Sequence, residues 1–361
     1  MLREQIERHS MLKLIRNLFC LLLTISAVSA FSNQAEVIGT LPEAISNNAV
    51  AAAKTSTGWQ LYSFNGLRKS KDWQGVTNLA MRFDLTTRRG YSIDKIPYKA
   101  GRLASIAVTV KNKIYLFGGY TVNDKHEEKS MPDVYQFDPE TQKFTYFTDM
   151  SIPVDDTVAL VYQERYIYLI SGWHDVGNIA DVQVLDTETK KWFFATPYPG
   201  DAAFGHAGGL VGNQMVIVDG VKVSAVKNNR RQFSMTNSAY IGEINADDFT
   251  QINWRQLPPH PGHPGYRMAA TGIPASNQVM FVGGSDNPYN YNGIGYNGEP
   301  SQPSRQRFVF DLITQQWQLL TPHAQATMDH RGLLLVDGKT YLLGGMLGKQ
   351  KVSNQVIKVA P

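Results

Sequence analysis

One feature constrains this chain before any other: an apolar run closing on glycine recurs six times. The runs are LYSFNG (61–66), IYLFGG (114–119), IYLISG (167–172), MVIVDG (215–220), VMFVGG (279–284) and YLLGG (341–345). Their final glycines, Gly66, Gly119, Gly172, Gly220, Gly284 and Gly345, lie 53, 53, 48, 64 and 61 residues apart. A small-residue strand precedes each run, as in LASIAVTV (103–110) and RGLLLVDG (331–338). After each of the first five comes a strand, a polar turn and an aromatic, as in QFDPETQKF (136–144), VLDTETKKW (184–192) and VFDLITQQW (309–317). Each unit therefore reads as four short strands, the first two forming a hairpin that ends at the glycines. One such sheet cannot cover both of its faces, so the units must stack radially. A two-sheet sandwich fits a period near fifty poorly. The pattern predicts an all-β, six-bladed β-propeller. After the last glycine pair only one strand remains, VIKVA (356–360), whereas AEVIGTLPEA (35–44) matches the fourth-strand segments IDKIPYKA (93–100) and WRQLPPHP (254–261). The N-terminal strand is thus expected to complete the last blade and leave no open edge.

The first thirty residues read as an address rather than as fold. Lys13 and Arg16 precede an apolar stretch, Leu18 to Ile25, and Val28-Ser29-Ala30 supplies the small residues of a cleavage site. The apolar run is short for a membrane span. Residues 1–30 are expected to be a Sec-type signal peptide cleaved after Ala30, with Met11 an alternative start, and residues 31–361 a single propeller domain that is periplasmic or secreted. Removing Arg3, Arg8, Lys13 and Arg16 together with Glu4 and Glu7 takes the net charge from +4 to +2, too dilute for a nucleic-acid protein. It also removes Cys20, the one cysteine, so the mature chain has neither disulfide nor thiolate chemistry and no second hydrophobic span.

In a four-stranded blade, the loops from strand two to three and from strand four to the next blade share one face, and a funnel over the axis is the default ligand site. The interblade loops bring Asn47, Asn48, Arg102, Asp155, Asp156, His206, Arg267, Asp329, His330 and Arg331 to that face. Arg102 and Arg267, taken as equivalent in their blades, suit a carboxylate ligand through the guanidinium fork. The competing reading pairs each arginine with loop carbonyls or with Asp155 or Asp329. Two of the second-to-third-strand loops are long. Residues 221–238 are basic, with Lys222, Lys227, Arg230 and Arg231; residues 285–307 interleave Tyr289, Tyr291 and Tyr296 with Asn287, Asn290, Asn292 and Asn297. Tyrosine faces and asparagine amides suit a sugar ring, one for its C–H face and the other for its hydroxyls; the plainer reading is a solvated lid. His206 could work as an acid–base, though a hydrogen-bonded structural histidine is the commoner outcome. His260 and His263 in HPGH lack a third ligand and read as a turn, so neither metal nor cofactor is expected.

The unit IYLFGG…DVYQFDPETQKF resembles the kelch repeat across nearly all of the mature chain. Within the kelch propellers, the signal-like start followed by LPE (41–43), the loop YNYNGIGYNG (289–298) after FVGG and the basic loop after the fourth glycine pair resemble the bacterial N-acetylneuraminate epimerases, periplasmic sialic acid mutarotases. The resemblance implies a carboxylate-bearing sugar as ligand, no cofactor, and a catalytic acid–arginine pair on the basic loop. Arg230 or Arg231 matches the arginine. Val221 stands where the acid belongs, so Asp155, Asp156, His206 or Asp329 would have to replace it. The kelch-propeller galactose oxidase site needs a cysteine that the mature chain lacks. The expected function is binding of an acidic sugar or glycan, with mutarotase chemistry at Arg231, Arg230, Asp155 or His206. Substrate contacts are expected from Arg102, Arg267, Asn47, Lys222, Tyr289, Tyr291, Asn292, Tyr296, His330 and Arg331. The alternatives are a non-catalytic kelch module for a protein or glycan partner, and a hydrolase or lyase using Asp155 and Asp329.

Overall fold

The structure is a computed structural model and describes residues 35–359; the expected signal peptide and Cys20 lie outside them. The described residues form a six-bladed β-propeller of antiparallel four-stranded sheets. Blade 1 runs through Ala49–Thr55, Gly58–Phe64, Ala80–Asp84 and Arg89–Ile93, and the next four blades repeat that order. Blade 6 takes its outer strand, Glu36–Thr40, from the start of the chain, paired antiparallel with Gln355–Val359 across a register shift between Val37 and Gly39. Ring closure by the N-terminal strand is therefore as the sequence predicts, with a Glu36–Lys358 ion pair of 2.7 Å at the seam.

The glycine pairs have one structural cause. Both residues of every pair hold positive φ: Asn65–Gly66, Gly118–Gly119, Ser171–Gly172, Asp219–Gly220, Gly283–Gly284 and Gly344–Gly345. The second position passes under the loop that enters its own blade so closely that a Cβ on Gly119 would sit 2.5 Å from the Leu103 carbonyl oxygen. Only glycine fits there, whereas the first position admits Asn65, Ser171 and Asp219, short polar side chains that tolerate the left-handed region. Replacing Gly119 with Ala should cost about 1–2 kcal/mol from the backbone conformation alone, plus the clash. Urea denaturation checks this, and an unshifted midpoint would count against the close approach.

The polar turns are equally regular. Asp84 Oδ1 accepts hydrogen bonds from the amides of Thr86 (2.9 Å) and Thr87 (2.8 Å). Asp138, Asp186 and Asp311 repeat the arrangement, and Asn245 stands in for aspartate in blade 4. The aromatic that follows reaches back to the preceding blade: Phe144 meets Phe64, and Trp192 meets Phe117. The innermost strands carry small residues, as in AVAAA and AGGLV, and surround a channel cavity of about 330 Å³.

Four of the connections between second and third strands are built up with extra strand structure, the one in blade 6 being the short pairing of Met346–Leu347 with Lys351–Val352. Blade 2 adds the hairpin Tyr120–Val122 and Glu128–Ser130, and blade 3 prolongs its own strands as Tyr166–His174 and Gly177–Asp186. In blade 4 the segment expected as a basic loop is a hairpin, Val221–Lys227 with Arg230–Met235. Blade 5 instead carries the long irregular loop 285–306.

Candidate functional site

Six interblade residues, Asn47, Ala104, Asp156, Gly205, Arg267 and Asp329, share positive φ at equivalent places around the axis. Asp156 N donates to the Ala104 carbonyl (3.0 Å), Gly205 N to Asp156 (2.8 Å) and Arg267 N to Gly205 (2.8 Å), so each loop is tied to the one before. Their side chains fill the hub. Arg267 donates to Asp156 Oδ2 from Nε (2.9 Å) and from a terminal nitrogen (2.7 Å), and to Asp329 Oδ1 (3.1 Å). Arg331 lies 3.3 Å from Asp156 Oδ1 and donates to Asn47 Oδ1 at 2.7 Å. Burial alone would raise the Asp156 carboxyl, but Arg267 and Arg331 outweigh it and hold the group below its usual value. Asp156 lines both the channel cavity and the funnel cavity, which makes this cluster the partition between them.

This register corrects the equivalence of Arg102 with Arg267. The hub residue of blade 2 is Ala104, two positions later, and Arg102 instead pairs with Asp133 (2.8 Å) beneath the ring of Tyr98. Arg102 does not line the funnel cavity.

Above the partition lie two adjoining cavities, of about 210 and 230 Å³, that share Tyr120, Glu128, Asp155, Trp173 and Arg231. Phe204, Phe233, Arg267, Asn290 and Tyr296 wall one lobe; His126, Ser130 and Asp175 wall the other. All come from the face expected to carry the funnel. Phe233 stacks on Tyr296 at 4.2 Å, which joins the blade 4 hairpin to the blade 5 loop. His126 Nδ1 meets the Tyr291 hydroxyl at 3.3 Å and ties the blade 2 hairpin to that same loop. Arg231 lies over the Trp173 ring (5.1 Å) and donates to the Val176 carbonyl (3.1 Å). It has no carboxylate within ion-pair distance among the described residues, in contrast to Arg267 and Arg331.

Of the residues expected to act, the cavities bring together Arg231, Asp155, Arg267 and Tyr296. Asp155 is buried, accepts from Ser130 Oγ at 2.6 Å and exchanges two backbone bonds of 2.9 Å with Trp173. Burial first, then the Asp156 and Glu128 charges, push its carboxyl well above the ordinary range, against the lowering effect of the Ser130 bond.

The others sit elsewhere. Arg230 is exposed at the turn of its hairpin, and Lys222 pairs with Asp201 at 2.7 Å. Tyr289 is buried against Tyr266 and Arg267, with its hydroxyl 3.4 Å from Asp329. The Asn292 side chain accepts from the Ile294 amide within its own loop. Asn47, His330 and Arg331 belong to the hub, where His330 bonds Thr327. His206 lines the channel; its Nε2 donates to the Ile170 carbonyl at 2.8 Å, and burial lowers it to about 4. His260 is buried, donates from Nε2 to Asp219 (2.7 Å) and stacks on Phe308, while His263 is exposed.

Sequence reasoning passed over Glu128, Trp173, Phe233 and Tyr120. Glu128 is reached by water through the cavity, yet the surrounding walls raise its carboxyl, with Arg267 opposing. The adjacent acids in HEEK (126–129) were the available signal.

Residues 107–151, the core of blade 2, match the Kelch motif. The chain carries a kelch motif. Kelch-like protein 15 from Gallus gallus is 28% identical over 116 residues, 32% of this chain and 23% of its own length. The Homo sapiens protein of that name is 22% identical over 253 residues, 70% of this chain and 40% of its own. The chain thus spans less than half the length of those relatives. Kelch domain-containing protein 3 from Bos taurus is 21% identical over 313 residues, 81% of this chain and 76% of its own. Among solved structures, that of YjhT superposes with a TM-score of 0.68 at 14% identity, covering 89% of this chain and 96% of its own, a likeness of fold. No helix among the described residues is long and apolar enough to cross a membrane.

Proposed function

We propose that this kelch propeller is exported, binds an acidic sugar of the sialic acid type in the two-lobed funnel cavity and accelerates its anomerisation. The observation that carries this reading is Arg231: an accessible guanidinium without a carboxylate partner among the described residues, set on Trp173 beside the carboxyl groups of Asp155 and Glu128. A guanidinium fork suits the sugar's carboxylate, and Trp173, Phe233 and Tyr296 offer ring faces for its C–H surface. Opening a hemiacetal then needs one group to take the anomeric proton and another to protonate the ring oxygen.

Arg231→Ala should weaken binding of sialic acid at least tenfold by calorimetry, with Lys partly restoring it, whereas Arg230→Ala should leave binding unchanged. Proton exchange spectroscopy on the α anomer should show faster interconversion with the wild-type protein. No binding of any acidic sugar would sink the reading. A second reading, a non-catalytic module presenting the same face to a protein or glycan, is favoured by the kelch-like relatives and by the exposed Val226 on the blade 4 hairpin. Binding without faster anomerisation would select it.

A further inference from the structure

We propose that Glu128 and Asp155 are the proton-transfer pair of the funnel site, Asp155 donating to the ring oxygen and Glu128 accepting the anomeric proton. This rests on the reading of the site as a sugar mutarotase and supplies the acid missing beside Val221, from blade 2 rather than from the blade 4 hairpin.

Glu128 and Ser130 stand two apart on the strand Glu128–Ser130 and so face the same side. Ser130 fixes the geometry: its hydroxyl donates to Asp155 Oδ2 at 2.6 Å and its amide to Asp175 Oδ1 at 2.7 Å. Asp155 is held from the other side by its paired backbone bonds to Trp173. Both carboxyl groups border both lobes, next to Arg231 and Trp173. Their environments differ as the two roles require. Burial and the Asp156 charge hold the Asp155 carboxyl well above the ordinary range, whereas Glu128, its carboxyl raised as well, opens to the water of the cavity. The other charged or titratable groups facing them are Asp175, His126, Tyr120 and Tyr296, together with Arg231 and the hub arginine Arg267, which is already paired with Asp156 and Asp329.

The step balances without a co-reactant. The Glu128 carboxylate takes the anomeric O–H proton, that oxygen's electron pair forms the carbonyl, the bond from the anomeric carbon to the ring oxygen breaks, and Asp155 protonates the departing oxygen. After rotation about the adjoining carbon–carbon bond, the Asp155 carboxylate removes the proton from that hydroxyl as it attacks the carbonyl. Glu128 then returns its proton to the carbonyl oxygen. The second anomer leaves with both groups reset.

The experiment measures anomerisation by exchange spectroscopy and sialic acid affinity by calorimetry for wild type, Glu128→Gln, Asp155→Asn and Glu127→Gln. The last is a control, because Glu127 bonds Asn123 on the exposed turn of the hairpin. Both pair variants should lose at least a hundredfold in catalysed rate, the lower end of what acid–base catalysis supplies, with affinity changed less than threefold and Glu127→Gln at the wild-type rate. Infrared spectra of the wild type at pH 7 should also carry a protonated-carboxyl band that Asp155→Asn removes. Wild-type rates in folded Glu128→Gln and Asp155→Asn, or no such band, overturn the pair while leaving the site reading intact. No sugar binding by wild type instead overturns the site reading, and the pair with it.

Discussion

Arg267→Ala should destabilise the propeller by about 3–5 kcal/mol, the range for breaking one side of a buried ion pair. The guanidinium is 3% exposed and neutralises two carboxylates that are themselves buried, Asp156 at 2.7 Å and Asp329 at 3.1 Å. Removing it leaves both charges in a desolvated hub, with Arg331 as the one remaining ion-pair partner among the described residues, 3.3 Å from Asp156 and 4.0 Å from Asp329. The Asp329 Oδ2 atom already lacks a hydrogen-bond partner among the described residues. Urea denaturation should therefore show a large fall in midpoint for Arg267→Ala and little change for Arg231→Ala, whose guanidinium is exposed to the cavity. Replacing Arg267, Asp156 and Asp329 together by apolar residues of similar volume should recover much of the loss, because the cost lies in stranded charge rather than in lost attraction. A stable Arg267→Ala that had lost sugar binding would make Arg267 a ligand group and the hub assignment wrong.

The contrast between the two arginines shows where sequence reasoning reaches and where it stops. Ring architecture was legible because each blade repeats the same physical demand: paired positive φ ending at Gly66, Gly119, Gly172, Gly220, Gly284 or Gly345, and an aspartate or asparagine turn such as Asp84 or Asn245. Those demands admit few residue types, so they leave a pattern. The hub position admits Asn47, Ala104, Asp156, Gly205, Arg267 and Asp329, six different residues joined only by backbone conformation. Nothing in their chemistry gives the register away, and matching by residue type puts Arg102, two residues before the hub residue Ala104, opposite Arg267. Glu128 was illegible for another reason. It sits on a hairpin that belongs to blade 2 alone, and its nearness to Asp155 depends on the Ser130 bond between segments 25 residues apart. Arg231 was legible as a cation on a long connection; its place over Trp173 follows from a blade 3 strand that runs past its glycine to His174.

Stability should fall with acidification more steeply in the wild-type protein than in His206→Asn. Buried His206 keeps Nε2–H for the Ile170 carbonyl, its Nδ1 has no partner among the described residues, and burial lowers it from 6.5 to about 4. The sign follows from proton counting. Between about pH 6.5 and 4 the unfolded chain binds a proton at this imidazole and the folded chain does not, so stability present above 6.5 is lost as pH falls. The slope approaches about 1.4 kcal/mol per pH unit, or about 3 kcal/mol over the interval. Asparagine is the informative replacement because Asn48 holds the equivalent place in blade 1 and reaches the Leu343 carbonyl of the neighbouring blade at 3.5 Å. Other shifted groups, among them His330 (lowered to about 3), Asp155 and Asp219 (both raised), are common to the two proteins and cancel in the difference. Urea unfolding at pH 7.5, 6, 5 and 4.5 should show the wild-type advantage shrinking steadily with acid. Parallel curves would mean that His206 protonates within the folded ring, and would return it to consideration as an acid–base group.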